Sequence, residues 1–209
     1  MAILMADLSG YTALTETHGA IAAADTVDRY IEIVKSCLVG DSYLHERTGD
    51  EVMLLSSSPA NLLATTLMLL QTMEGEENFL LLHGGLHWGK LLYRNNSYFG
   101  TAINLTSRIA SKAGPGHVCC SQDFIDVLPA HSVSSFHSKG NHSFKNISDE
   151  VALFELQTSN MKPLHIDPVC RMLILTEEKA HTHPDVLGTY FCSGNCMELF
   201  MRKKLTPSL

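Results

Sequence analysis

The stretch "HERTGDEVMLL", His45–Leu55, changes from charged to apolar at Gly49-Asp50. "SYLHERT" before the change and "EVMLLSS" after it both have strand character, and a glycine-aspartate pair between two such runs is a hairpin turn. The turn places Asp50 at the mouth of an apolar strand. A carboxylate there is costly to bury unless something pairs with it.

Working outward, "AILMAD" is a short apolar strand ending in Asp7, and "SGYTALTETHG" reads as a turn-rich link. Val27, Tyr30, Ile31, Val34, Cys37 and Leu38 then recur at helical spacing. A second helix, "NLLATTLMLLQTM", follows the hairpin and packs through Leu62, Leu63, Thr66, Leu67 and Leu70. "NFLLLHGGLHWGKLLYR" gives a strand pair. "AINLTSRIASKAG" is a third helix, closed by Gly114 and Pro115. "GHVCCS", a short helix at "QDFIDVL", and strands at "HSVSSFHSKG" and "DEVALFEL" complete the first domain. The βαββαβ order predicts an α+β, ferredoxin-like domain with additions. Its boundaries are 1–156, followed by a polar linker at 157–163 and a small Cys-rich module over 164–209.

That topology sets the first strand antiparallel beside the strand that Asp50 opens. Asp7 and Asp50 therefore meet at one sheet edge. Two adjacent carboxylates repel unless a proton or cation lies between them, and a hard divalent cation with phosphate oxygens suits such a pair. Gly10 follows directly in "DLSGYT", where successive backbone N–H groups can cradle an anion. On the third helix Asn104 and Arg108 are four apart and share a face. Arginine stays charged and offers a planar fork of donors, which suits developing phosphate charge.

Composition limits the alternatives. The 209 residues are 45% apolar and 18% charged, enough for a sizeable core, and the formal net charge is −7. That balance argues against a nucleic-acid-binding surface. No apolar run is long enough to cross a bilayer, and the opening residues read as a strand, not a signal peptide, so a cytoplasmic location is expected. Of six cysteines, Cys37, Cys119 and Cys120 lie in apolar stretches and read as packing residues. Cys170, Cys192 and Cys196 cluster late in the chain, a pattern that in a reducing compartment means metal more often than disulfides.

"MADLSGYTAL", "GDEVML", "GGLHWG" and "SYFGTAINLTSRIASKAGPG" together resemble the class III nucleotidyl cyclase catalytic domain, over about Met1 to Leu156. The resemblance implies that Asp7 and Asp50 hold Mg²⁺ or Mn²⁺, that Asn104 and Arg108 form the transition-state pair "N-x-x-x-R", and that Lys145 in "FKNIS" contacts the triphosphate of a nucleoside triphosphate substrate. It also implies a homodimer in which the aspartates of one subunit face the Asn and Arg of the other. Two positions correspond to base-reading residues. Glu46 stands where adenylyl types carry Lys and guanylyl types Glu. A carboxylate accepts from guanine N1–H and the 2-amino group, so Glu46 tilts the expectation slightly toward GTP. Ser97, seven residues before Asn104, donates or accepts and decides nothing.

"DPVCRM" with "GTYFCSGNCMELF" resembles the YHS domain, a TRASH-like metal-binding module, with Arg171 where the family pattern has Gly. Three thiolates suit Zn²⁺ or Cu⁺, and His181, His183 or Asp167 are candidates to complete the set. The leading expectation is an enzyme with a metal-responsive appendix. The alternative is a catalytically inactive cyclase-like dimer that binds or senses metal.

Overall fold

The computed structural model describes residues 1–129, 135–158 and 165–205. Most of the expected linker and the last four residues of the expected module lie outside these; Gln157 itself ends a strand.

The central sheet has seven strands. In chain order they are β1 (Ala2–Leu8), β2 (Tyr43–Thr48), β3 (Glu51–Ser56), β4 (Leu82–Trp88), β7 (Val118–Ser121), β8 (Ser135–His142) and β9 (Val151–Gln157), with β5 (Leu92–Arg94) and β6 (Ser97–Phe99) forming a separate hairpin. The spatial order is β2-β3-β1-β4-β7-β9-β8. Only β4 and β7 run parallel; the other neighbours are antiparallel. The expected neighbours, β1 and β3, pair with Ala6 opposite Val52.

Alternation along β1 assigns its two faces. Ala2, Leu4, Ala6 and Leu8 enter the main core with residues of α1 (Tyr11–Ser36) and α2 (Pro59–Glu74). Ile3 and Met5 point to the opposite face, where they pack with Met53, Leu55 and the α3 (Thr101–Ala110) residues Ala102 and Ala110. Helix α3 lies very close to the sheet. A Cβ on Gly85 would come within 2.4 Å of the Ala110 backbone nitrogen and 2.6 Å of the Thr106 carbonyl oxygen, so "GG" in β4 is a packing requirement.

Two local expectations change. "SGYTALTETHG" is not a link: α1 starts at Tyr11. Leu14 anchors that first stretch in the core, and the Thr15 and Thr17 hydroxyls donate back to the Tyr11 and Ala13 carbonyls. What looked like turn chemistry is threonine bonding within a helix. The helix does break at Gly19 (φ 84°, ψ 170°). Nor does "KLLYR" pair back onto β4. β5 pairs with β6, because Asn95 and Asn96 both adopt positive φ (53° and 59°), which makes the two-residue primed turn that closes a tight hairpin.

After β9 the chain forms a two-stranded ribbon, β10 (His165–Ile166) with β11 (Leu173–Ile174), and then α5 (Gly194–Leu205). A short α4 (Gln122–Asp126) precedes these in the main domain. The small module has its own apolar cluster around Cys170, Phe191 and Cys196. It docks on the segment before β4: Leu173 N–H donates to the Phe79 carbonyl at 2.6 Å, Asn78 N–H donates to the Leu173 carbonyl at 3.0 Å, and the Glu77 carboxylate accepts from Leu175 N–H and the Thr176 hydroxyl.

Candidate active site

Asp7 continues the register of Ile3 and Met5, so it belongs to the α3 face of the sheet, just beyond the part that α3 covers. Asp50 sits in the turn into β3. Its carboxyl is pushed up to about 7, first by burial and then by its hydrogen bond to and repulsion from Asp7. The neighbouring Glu51 is also raised, by burial and by Asp50 and Glu46. The Leu8 N–H donates to Asp7 Oδ1 at 2.9 Å. Little else nearby balances the charge. Tyr30 is wholly buried, its hydroxyl has no partner among the described residues, and its pKa is driven up chiefly by burial and further by Asp7 and Asp50. His83, opposite Asp7 on β4, bonds the Ser9 hydroxyl, and burial lowers its pKa. A paired donor set that holds a proton to near neutrality, with no cationic side chain bonded to it among the described residues, is chemically suited to a divalent cation.

The β1–α1 turn follows. Gly10 adopts a left-handed conformation (φ 94°), and the first amides of α1 have no intrahelical acceptors. The anion cradle expected from the sequence would sit at this turn, beside the carboxylates. One neighbour was not foreseen: Arg171 of the small module packs directly on Gly10, where a Cβ would come 2.4 Å from Arg171 Cβ.

Glu46 lines a cavity of about 150 Å³ on the same face, with Met5, Thr48, Glu51, Met53, Tyr98 and Ile103. Ser97 is exposed and does not line it; its neighbour Tyr98 does. No spacing or composition signal singles out Tyr98 or Glu51; only the fold brings them to this cavity. Tyr98 is held by edge contact with His45 (4.9 Å between centroids) and by the Tyr43 hydroxyl.

Asn104 and Arg108 stand on successive turns of α3. Asn104 is exposed, and the Arg108 guanidinium donates to the Lys145 carbonyl. Arg108 and Lys145 are thus brought together. Among the described residues, neither Asp7 nor Asp50 has a hydrogen bond or ion pair with Asn104, Arg108 or Lys145.

The second cluster is the cysteine set. Cys170 Sγ is 3.4 Å from Cys192 Sγ, and Cys192 Sγ is 3.6 Å from Cys196 Sγ. The Cys170 hydrogen bond lowers Cys192 to about 6, and burial lifts Cys196 to about 12. The fourth group is His18 of α1, whose Nε2 lies 3.5 Å from Cys196 Sγ and 3.7 Å from Cys192 Sγ. The four candidate ligand atoms lie within 4.8 Å of one another. None of the three residues expected to complete the set joins this group. Asp167 is buried and accepts from the backbone N–H groups of Val169, Cys170 and Cys192. His181 pairs with Phe191 through its backbone. Sequence spacing could not reveal His18, which is remote in the chain and reaches the cysteines only through docking.

The domain has the fold of nucleotidyl cyclase catalytic domains. It aligns with adenylate cyclases of Trypanosoma brucei solved in their monomeric state (TM-score 0.68, 18% identity, 74% of this chain and 86% of that one) and with a guanylate cyclase domain from Catenaria anguillulae in complex with GTP (TM-score 0.61, 14% identity, 75% and 94%). In sequence, it is 27% identical over 158 residues to a pH-sensitive adenylate cyclase of Mycobacterium tuberculosis, covering 74% of this chain and 40% of that protein. It is 30% identical over 118 residues to an adenylate cyclase of Glutamicibacter nicotianae, covering 56% and 29%. The chain thus spans less than half the length of these curated relatives. No family model matches it. No described helix is long and apolar enough to cross a membrane.

Proposed function

We propose that the chain catalyses class III nucleotidyl cyclisation, converting a purine nucleoside triphosphate to its 3′,5′-cyclic nucleotide and pyrophosphate, as a homodimer with shared sites. The observation that carries this reading is the division of the site. Asp7 and Asp50 form a carboxylate pair in want of a cation, while Asn104, Arg108 and Lys145 form a separate polar and cationic group. A second copy of the chain, as in the proposed homodimer, would present one group to the other.

Mg²⁺ or Mn²⁺ held by Asp7 and Asp50 would neutralise triphosphate charge and favour the 3′-alkoxide. The first amides of α1 after Gly10 receive phosphate oxygens at a helix N-terminus. The 3′-hydroxyl gives its proton to water, its oxygen attacks the α-phosphorus, the bond from that phosphorus to the α–β bridging oxygen breaks, and pyrophosphate leaves. Arg108 from the partner stabilises charge growing on the α-phosphate, Asn104 orients the sugar side of the same group, and Lys145 meets the triphosphate. Glu46 reads the base in the cavity it lines. The relatives' names favour adenine, and the acceptor chemistry of Glu46 favours guanine; Ser97 adds no preference.

The test is purified protein with Mn²⁺ and each of the four nucleoside triphosphates, with cyclic products identified by mass. A cyclic purine nucleotide that disappears in Asp50→Asn supports the reading. Its absence under all four conditions favours the inactive, metal-binding dimer.

A further inference from the structure

We propose that His18, Cys170, Cys192 and Cys196 form one closed Zn²⁺ site that fastens the C-terminal module to helix α1. Three cysteines in the module would account for a metal within it. The fourth ligand belongs to the other domain, and this makes the metal a clamp.

The geometry carries the assignment. A tetrahedral zinc with Zn–S bonds of about 2.3 Å and a Zn–N bond of about 2.0 Å has S···S edges of about 3.8 Å and S···N edges of about 3.5 Å. Four of the six edges of the cluster are S···S separations of 3.4 and 3.6 Å and S···N separations of 3.5 and 3.7 Å, and all four ligand atoms lie within 4.8 Å of one another. Four protein ligands leave no open position, which is the structural type of zinc site.

The surroundings are built to hold that arrangement. Buried Asp167 ties the two cysteine-bearing loops together: Oδ1 accepts from Val169 and Cys170, and Oδ2 from Cys192. Cys196 enters from the first turn of α5. On the opposite side, α1 leaves helical geometry at Gly19, directly after His18. The break frees the Tyr11–His18 segment from the direction of the rest of the helix, so that its last residue faces the sulfurs. A Cβ at Gly19 would meet nothing within 4 Å, so the break is conformational and does not relieve crowding. The module has a small apolar cluster of its own, and fragments of this size gain order from metal binding.

The consequence is mechanical. The segment that the clamp grips, Tyr11–His18, begins at the turn carrying Gly10, and the module's Arg171 rests on Gly10. Zinc occupancy therefore fixes the helix start beside Asp7.

The experiment uses the full chain and needs no nucleotide turnover, so failure of the cyclase reading and failure of the clamp are separately visible. Zn²⁺ is titrated against a chromogenic chelator, the site geometry is read from Co²⁺ absorption, and hydrogen exchange is followed with and without Zn²⁺. One Zn²⁺ per chain is expected, with a tetrahedral, thiolate-rich Co²⁺ spectrum and slowed exchange in both residues 165–205 and residues 11–18. His18→Ala should bind at least tenfold more weakly and lose protection of residues 11–18. His18→Cys should restore affinity with a four-thiolate spectrum, which a merely structural histidine would not allow. Unchanged affinity and spectrum in His18→Ala, or Zn²⁺ protection confined to residues 165–205, would overturn the clamp.

Discussion

Asp7 and Asp50 approach from the end of β1 and the turn before β3, and their hydrogen bond and mutual repulsion add to burial in holding Asp50 protonated up to about pH 7. An acid whose folded pKa is raised makes the native state bind more protons than the unfolded state. Stability therefore falls as pH rises between the ordinary aspartate value and about 7, and levels off above that. Mg²⁺ or Mn²⁺ takes the proton's place and should restore stability on the alkaline side. Thermal melts across this window, with and without Mn²⁺, are compared between wild type and Asp50→Asn. The variant should lose both the decline and the Mn²⁺ response. Equal pH slopes in the two proteins would remove Asp50 from the pair.

The proposed shared site, with Asp50 of one subunit facing Arg108 of the other, predicts complementation. Arg108→Ala should lower kcat by about 10²–10³-fold with a smaller change in nucleotide affinity, because the contact strengthens in the transition state. Asp50→Asn should abolish turnover while the fold persists. Mixed after subunit exchange, the two inactive proteins should recover activity, since one interface then holds an intact Asp50 facing an intact Arg108. Exchange confirmed by mass with no recovered turnover contradicts a shared site.

Glu46 shares its cavity with Glu51 and Tyr98. Replacing an acceptor by a donor in a base pocket leaves mismatched polar groups, which discriminates more strongly than a change of size. Glu46→Lys should lower the GTP-to-ATP ratio of kcat/KM by at least about tenfold, whichever nucleotide the wild type prefers. The same exchange at exposed Ser97 should move the ratio much less. A ratio unmoved by Glu46→Lys would place base recognition elsewhere.

The carboxylate pair was legible in sequence because topology alone puts the end of one strand beside the start of its antiparallel neighbour. The "N-x-x-x-R" helix was legible because a four-residue spacing fixes a helix face. Local chemistry misled at Ser9–Gly19, where threonines and a glycine suggest a link but the hydroxyls bond helix carbonyls and Leu14 anchors the turn. The tail cysteines could be grouped by spacing. His18 could not, since its proximity depends on the module docking along Phe79 and Glu77. Long-range docking leaves no periodic trace in the sequence.

The contact between Gly10 and Arg171 gives a test of that docking. Gly10 has φ 94°, and a Cβ there would lie 2.4 Å from Arg171 Cβ and 2.6 Å from Arg171 Cγ. Gly10→Ala therefore carries two penalties: about 1–2 kcal/mol for the left-handed backbone and a further clash of about 1–3 kcal/mol. For a chain of this size Tm should fall by roughly 4–20 °C. Arg171 is itself left-handed, with φ 70°. Arg171→Gly removes that strain, offset by about 0.4–1 kcal/mol for the freer unfolded chain, so alone it should be close to neutral or slightly stabilising. Combined with Gly10→Ala, it removes the steric part and leaves the backbone part. The double variant should therefore be more stable than the sum of the two singles by about 1 kcal/mol or more. Melts of all four proteins measure this coupling. Additivity within about 0.3 kcal/mol would mean that the module does not rest on the β1–α1 turn in solution.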